Sequence, residues 1–437
     1  MRKNLFKKVL ALTLASTMAF SMAGCGSKGG SSDAKNDDGT ITLNVWHQWS
    51  NDTNELKSKY EEAVKAYEKE NPGVKIKTET LDTEAYKTKI NAEFAGDAKG
   101  IDVFYWWGAG TAKKLVDAGK VMALDDYVTD DVKSKILEGS TSAFEFDGKL
   151  YSVPMFSWYM TLFCNKTMFD KAGATLPTTY DELVDAVKKL KKLDGVTPMA
   201  AGAKDGWNAA FVYQALALRE VGATGVNEML SGKKEFGDEG FKKAAQKVSD
   251  LYEMGAFGDN PLEQGNDDAN AAFENGKAAM RLMGSWFANN VYTDDAATIK
   301  PEEVVALKIP TIADGKGEAT DYCGGFVESF WVNNNTKYKE EAAKFCIYIN
   351  EKMGVASYET GSGFSGWTTP ADESNLNPLF IQIKDLLAEG KQGVLAWDTS
   401  LESEPAAVHN EQVQTLFADG ADIDAFIDEH KAAINGK

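Results

Sequence analysis

Over residues 41–107 the sequence switches repeatedly between the apolar pattern of a strand and the apolar spacing of a helix, and this alternation constrains the fold more than any other feature. ITLNVW, 41–46, is a short β-rich run. Leu56, Tyr60, Ala63, Val64 and Tyr67 then recur at helical spacing until Asn71-Pro72-Gly73 stops the helix. VKIKTETL alternates as a strand does, Tyr86, Ile90 and Phe94 restore helical spacing, and IDVFYWW follows Gly100 as a buried strand. The pattern is βαβαβ, the unit of a parallel sheet. Further on, Thr179 and Glu182 form a T-x-x-E capping box, and Leu183, Val187 and Leu190 give the buried face of the helix behind it. A second α/β unit begins there, and no repeat of solenoid length stands out. Parallel sheets open their binding crevices beyond the carboxyl ends of strands, which places 46–51 and 106–110 at the rim of a cleft.

The N-terminus predicts export. Arg2, Lys3, Lys7 and Lys8 form a basic region, and the apolar stretch that follows to about Phe20 is too short for a permanent membrane span. Residues 1–24 read as a signal peptide. Met22-Ala23-Gly24-Cys25 resembles a bacterial lipobox, in which Cys25 becomes the acylated N-terminus; an ordinary secretory signal with an incidental cysteine is the alternative. At roughly 0.8 kcal/mol per buried methylene, two or three long chains would hold the protein at a membrane without a transmembrane helix. Residues 25–39, the lipidated cysteine and GSKGGSSDAKNDDG, have no large apolar side chain after Cys25 and read as a flexible tether. What remains, about 40–437, exceeds one ordinary domain and suits two.

Charge acts by exclusion. The formal net charge of −19 becomes −23 once the four basic residues of the signal are removed. Such a field repels phosphate backbones, so nucleic acid is a poor partner. With Cys25 acylated, Cys164, Cys323 and Cys346 remain, an odd number without metal-like spacing. Buried free thiols are the first expectation, and a Cys164 to Cys323 bridge is the alternative.

The residues also resemble a family. AAFENGKAAMRLMGSWFAN, 271–289, is similar to the signature stretch of the extracellular solute-binding proteins that serve sugar ABC importers, the broad group containing maltose-binding protein. KYEEAVKAYEKENPGVKIK from 59, GIDVFYWW from 100, DGKLYSVPMFSWYMTLFCNKTMFDKAG from 147 and TTYDELVDAVKKL from 178 follow the same family's order and spacing, whereas the last seventy residues fit loosely. The resemblance implies an α/β, bilobal periplasmic-binding-protein type II fold whose chain crosses a hinge three times, near 156–159, 323–326 and 364–370. Lobe one would hold 40–157 and 326–366, and lobe two 158–325 and 367–437. It further implies an oligosaccharide ligand between the lobes, permease transmembrane subunits with cytoplasmic ATPases as partners, a monomer, and no cofactor. The tether and lipobox suggest a Gram-positive type of cell surface, with the protein on the outer face of the cytoplasmic membrane.

A sugar fits the residue types. A pyranose stacks its C–H faces on aromatic rings and needs donors and acceptors around its hydroxyl rim. The chain has 10 tryptophans. Those expected at the ligand are Trp49, Trp106, Trp158 with Tyr159, Trp207, Trp286 in the turn after the AAF…G…AM helix, and Trp397. Tryptophan is also a common core residue; Trp46, Trp107 and Trp331 are expected in core or on a lobe surface, and Trp367 is left unassigned. Asp82 and Asp398 are the candidate carboxylates, although in a chain with 66 acidic residues any one of them is more often solvated surface. Gly324 and Gly325 would allow close backbone approach at a crossing. Enzymatic motifs such as H-E-x-x-H, G-x-S-x-G or a P-loop do not occur, and His47, His409 and His430 are the only histidines. An enzyme is therefore not expected; a glycoside hydrolase built on two carboxylates is the remote alternative. GDNPLEQGNDDAN, 258–270, lacks EF-hand spacing and reads as a solvated acidic turn. A same-fold receptor for a polyamine, peptide or ferric ion is the nearer alternative.

Overall fold

The computed structural model describes residues 39–436, apart from 52–53 and 294–296. The expected signal peptide, Cys25 and all but the last residue of the tether lie outside the described residues.

Local signals become elements where the physics requires them. Asn54 caps helix Glu55–Glu70 by accepting from the Leu56 amide, and Leu56, Tyr60 and Tyr67 turn inward. Because this helix carries the chain over the sheet, strand Val74–Thr80 returns parallel to strand Ile41–His47, with Ile41 opposite Val74. Helix Thr83–Ala95 makes the next crossover, and strand Val103–Trp107 joins the other edge of Ile41–His47 in parallel. The T-x-x-E box is formed in full at helix Tyr180–Leu190.

The sheet continues through Asp321–Val332, Phe156–Asn165, Ala278–Gly284 and Thr197–Ala200. Two hydrophobic cores flank it. One gathers residues of 41–156 and 327–353 with Trp367; the other gathers residues of 158–323 and 376–427. Phe156–Asn165 and Asp321–Val332 serve both cores. Where they cross, Gly324 stands opposite Tyr159 and Phe326 opposite Ser157, and the register shifts before Glu328. The short strand Phe364–Ser365 pairs with the same stretch. Gly324 has φ +140°, and a Cβ there would stand 2.0 Å from the Trp158 carbonyl oxygen, so neither conformation nor space admits a side chain.

The second core holds a buried polar chain. The geometry suits neutral rings: His430 Nδ1–H donates to the Phe426 carbonyl at 2.8 Å, and His409 Nδ1–H donates to His430 Nε2 at 3.0 Å. Gln214 Nε2 then donates to His409 Nε2 at 3.1 Å. Trp397 lies on this chain, 1% exposed, stacked on His409 with ring centres 5.0 Å apart. Its expected place at a ligand is therefore corrected: helix Trp397–Ser400 turns the indole into the core against Tyr213 and Phe241. Cys164, Cys323 and Cys346 are free thiols, all buried, so no Cys164 to Cys323 bridge forms.

Candidate functional site

Between the cores lies a cleft of about 1200 Å³. The first lobe reaches it at strand ends. Gln48 and Trp49 follow Ile41–His47, Asp82 follows Val74–Thr80, and Trp106 and Trp107 end Val103–Trp107. This is the carboxyl-end placement that parallel strands favour.

The second lobe contributes an aromatic wall. Trp158 stacks on Phe211 with ring centres 5.4 Å apart and meets the edge of Trp286 at 5.0 Å. Trp207 stands nearly perpendicular to Phe211 at 5.3 Å. Phe211 and Trp207 share helix Gly206–Leu230 at i and i+4, so one helical face presents both. Tyr159 does not join them. Adjacent strand residues point to opposite faces of a sheet; Phe156 and Trp158 line the cleft, whereas Tyr159 packs behind on Tyr322 and Phe364.

Trp49 and Trp106 line the cleft but are each only 5% exposed. Trp49 is wedged among His47, Tyr60, Tyr105 and Phe330, and the Trp106 indole donates to the Thr111 carbonyl. Trp107, expected in core or on a surface, is the more accessible of the pair and stands across from Trp207. Between them is the Lys87 ammonium, 5.2 Å from the Trp107 ring centre and 5.7 Å from that of Trp207. It also pairs with Glu84 at 3.1 Å. Lys87 thus touches aromatic surface of both lobes, a cation–π arrangement.

Carboxylates complete the lining. Asp82 caps helix Thr83–Ala95 through the Ala85 amide and is exposed at the rim. Asp398 is half-buried at the far wall, and burial raises its pKa while Lys87 opposes the rise. Glu328 is a buried carboxyl inside the apolar run FVESFWV. Burial pushes its pKa up to about 7, against hydrogen bonds from Tyr105 and Trp107. Asp205 accepts from the Asn266 amide at 2.6 Å, and burial raises its pKa too. The segment expected as a solvated acidic turn supplies part of the wall, since Asn266, Asp267, Asp268 and Asn270 all line the cleft.

Beneath that wall lies Arg281, whose pKa burial lowers to about 9. Its guanidinium donates to the side chains of Asn208 at 2.6 Å, Asn266 at 3.1 Å and Asn270 at 3.1 Å, and to the carbonyls of Ala200 and Ala201. With their oxygens held inward, these amides are fixed in orientation. Sequence reasoning missed Arg281, Phe211, Lys87 and Glu328. A carboxylate inside FVESFWV and an arginine inside AAMRLMG were visible as polar breaks in apolar strands, the signal that could have found two of them.

Two α/β lobes, shared strands at the hinge and a cleft with aromatic and carboxylate walls define a bilobal solute-binding protein. The family model of the bacterial extracellular solute-binding protein matches residues 50–355, and the chain belongs to that family. Its members act outside the cytoplasm as binding proteins. The multiple sugar-binding protein of Streptococcus mutans is 24% identical over 368 residues, covering 81% of this chain and 80% of its own. An ABC transporter extracellular-binding protein of Pyrococcus horikoshii is 26% identical over 280 residues, covering 62% of this chain and 61% of its own. A chain solved in a study of xylan utilization by the thermophilic bacterium Caldanaerobius polysaccharolyticus is 36% identical, with a TM-score of 0.85 over 90% of this chain and 99% of that one. No helix among the described residues is long and apolar enough to cross a membrane.

Proposed function

We propose that the chain is the extracellular substrate-binding component of a carbohydrate ABC importer, anchored through Cys25, and that it captures an oligosaccharide between its lobes. The observation that carries this reading is the continuous aromatic wall of Trp158, Phe211, Trp207 and Trp286 set beside ordered amides and carboxylates. Such a surface offers stacking faces to pyranose rings and both donors and acceptors to their hydroxyls. The cleft volume supports an extended ligand, since pockets for drug-sized molecules run roughly 300–1,000 Å³. The name of the Streptococcus mutans relative agrees with a sugar. Ligand contacts from both lobes would favour the closed arrangement, which permease subunits would then read from a monomeric receptor. His47, His409 and His430 are buried and none lines the cleft, so histidine catalysis has no support there.

A second reading keeps the fold and exchanges the ligand for a polyamine. The carboxylates of the cleft favour it, because aromatic rings ringed by carboxylates accommodate ammonium groups; Lys87, Lys114 and Lys204 in the same cleft count against it. Ferric ion has less support, since no group of three or more His, Cys, Asp or Glu among the described residues converges to hold a metal. Calorimetry on the soluble chain from residue 39 onward, against gluco-, xylo-, manno- and galacto-oligosaccharides, with spermidine and ferric ion alongside, tests the proposal. Saturable heat with one sugar series and no shortened product is expected. Heat with spermidine alone would overturn the sugar reading, and accumulation of shorter sugars would make the protein a hydrolase.

A further inference from the structure

Besides Gln48 Oε1 on the first lobe, the cleft wall holds two polar atoms that the fold leaves without a partner, a donor on Trp207 (Nε1) and an acceptor on Asn410 (Oδ1). Both residues line the cleft. They are neighbours through the backbone: Gly206 packs so closely on helix Ser403–Thr415 that a Cβ there would stand 2.8 Å from the Asn410 Cβ. The contact is clamped one turn further along, where Gln414 Nε2 donates to the carbonyls of Ala203 and Lys204, both at 2.9 Å. A buried polar atom without a partner is costly, and proteins rarely keep one without a use for it. The Lys87 ammonium of the first lobe lies 5.7 Å from the Trp207 ring centre, so this corner also faces the opposite lobe.

We propose that Trp207 Nε1–H and Asn410 Oδ1 form a hydroxyl-reading pair, in which one sugar hydroxyl accepts from the indole and donates to the amide oxygen. The inference rests on the oligosaccharide reading of the cleft and assigns Trp207 a second task beside stacking. A hydroxyl matches because one oxygen carries both a donor and acceptor lone pairs. An ether, a deoxy carbon or an ammonium satisfies at most one side. The pair therefore makes this corner specificity-determining: a site built to hydrogen-bond a hydroxyl rejects ligands that lack it far more strongly than an apolar pocket rejects a misfit.

The test is calorimetry of Trp207→Phe, Asn410→Leu, Asn410→Asp and the Phe/Leu double variant. The probe is whichever of xylo-, cello-, manno- or galactotetraose the unaltered protein binds. Loss of one such hydrogen bond with a buried partner left over should weaken binding by about tenfold or more for each of Trp207→Phe and Asn410→Leu. Because both atoms serve one hydroxyl, the double variant should lose distinctly less than the product of the two, while Asn410→Asp, which keeps an acceptor, should recover affinity relative to Asn410→Leu. Single variants that bind as the unaltered protein does, or losses that multiply, would overturn the pair while leaving the sugar reading intact. An ordered water that bridges both atoms and stays in the sugar complex would also overturn it. Failure of the unaltered protein to bind any of the four sugars would instead overturn the sugar reading, and the pair with it.

Discussion

Mild acid should weaken this protein well above the pH at which its surface carboxylates titrate. Burial lowers the pKa of His430 from 6.5 to about 4 and that of His47 from 6.5 to about 3, with Lys57 adding to the second. His409 is lowered as well, by burial and by His430. The fold keeps these rings neutral, so the stability they contribute is present above the unfolded value of 6.5 and is lost as pH falls toward the folded values. Glu328 works the other way. Its folded pKa of about 7 lies above the ordinary 4.5, so between those values the folded state holds the extra proton and gains stability on acidification. Each group is worth on the order of 1 kcal/mol per pH unit inside its window, and three histidines against one carboxyl leave a net loss of roughly 3 kcal/mol from pH 6 to pH 5. Burial raises the pKa of Asp398 and of Asp205 as well, and each opposes the loss only once pH has fallen to its folded value. Urea unfolding at about pH 6 and pH 5 measures the slope, and Glu328→Gln, which removes the offset, should steepen it to about 4 kcal/mol per unit. Stability that is flat or rising between those values, or a slope unaffected by Glu328→Gln, would refute the reasoning.

Three further outcomes follow from the geometry. Trp286→Ala opens the aromatic wall and should weaken oligosaccharide binding by about 1.5–3 kcal/mol, or roughly ten- to hundredfold, in calorimetry; an unchanged affinity would remove Trp286 from the site. Arg281→Met leaves the acceptors of Asn208, Asn266 and Asn270 without their buried cation, so thermal unfolding should show a loss of about 3–5 kcal/mol, and a loss under about 1 kcal/mol would mean that the amides re-pair on their own. Gly324→Ala forces a side chain into a φ of +140° against the Trp158 carbonyl, with backbone strain alone worth about 1–3 kcal/mol. Small-angle scattering should then show a weaker ligand-induced compaction, and full compaction with unchanged stability would contradict the close packing described at the crossing.

Local signals in the sequence carried much of the first lobe, because strand alternation, Asn71-Pro72-Gly73 and the Thr179–Glu182 box act over a few residues. The site depended on longer-range facts. Trp158 and Tyr159 could not both face the ligand, and strand alternation already contained that restriction. Trp397 reads as a loop aromatic beside Asp398, yet its burial is decided by Tyr213 and His409, which come from helices Gly206–Leu230 and Ser403–Thr415. Trp107 and Phe211 reach the cleft because a strand ends and a helix turns there. Asn410 lies in the stretch where family resemblance was loosest, and its place beside Trp207 comes from the packing of Gly206.

The shared strands also set a schedule for synthesis. The Trp331 indole donates to the Trp106 carbonyl across 225 residues of sequence, and the first lobe cannot complete its sheet until that strand exists. At about 5–20 residues per second, the wait is roughly 10–45 s. Contacts of such long range also slow folding once the chain is whole. For that long the edge of Val103–Trp107 that will pair with Asp321–Val332 stays open, and an open strand edge is the part of a nascent lobe most exposed to pairing with the wrong partner.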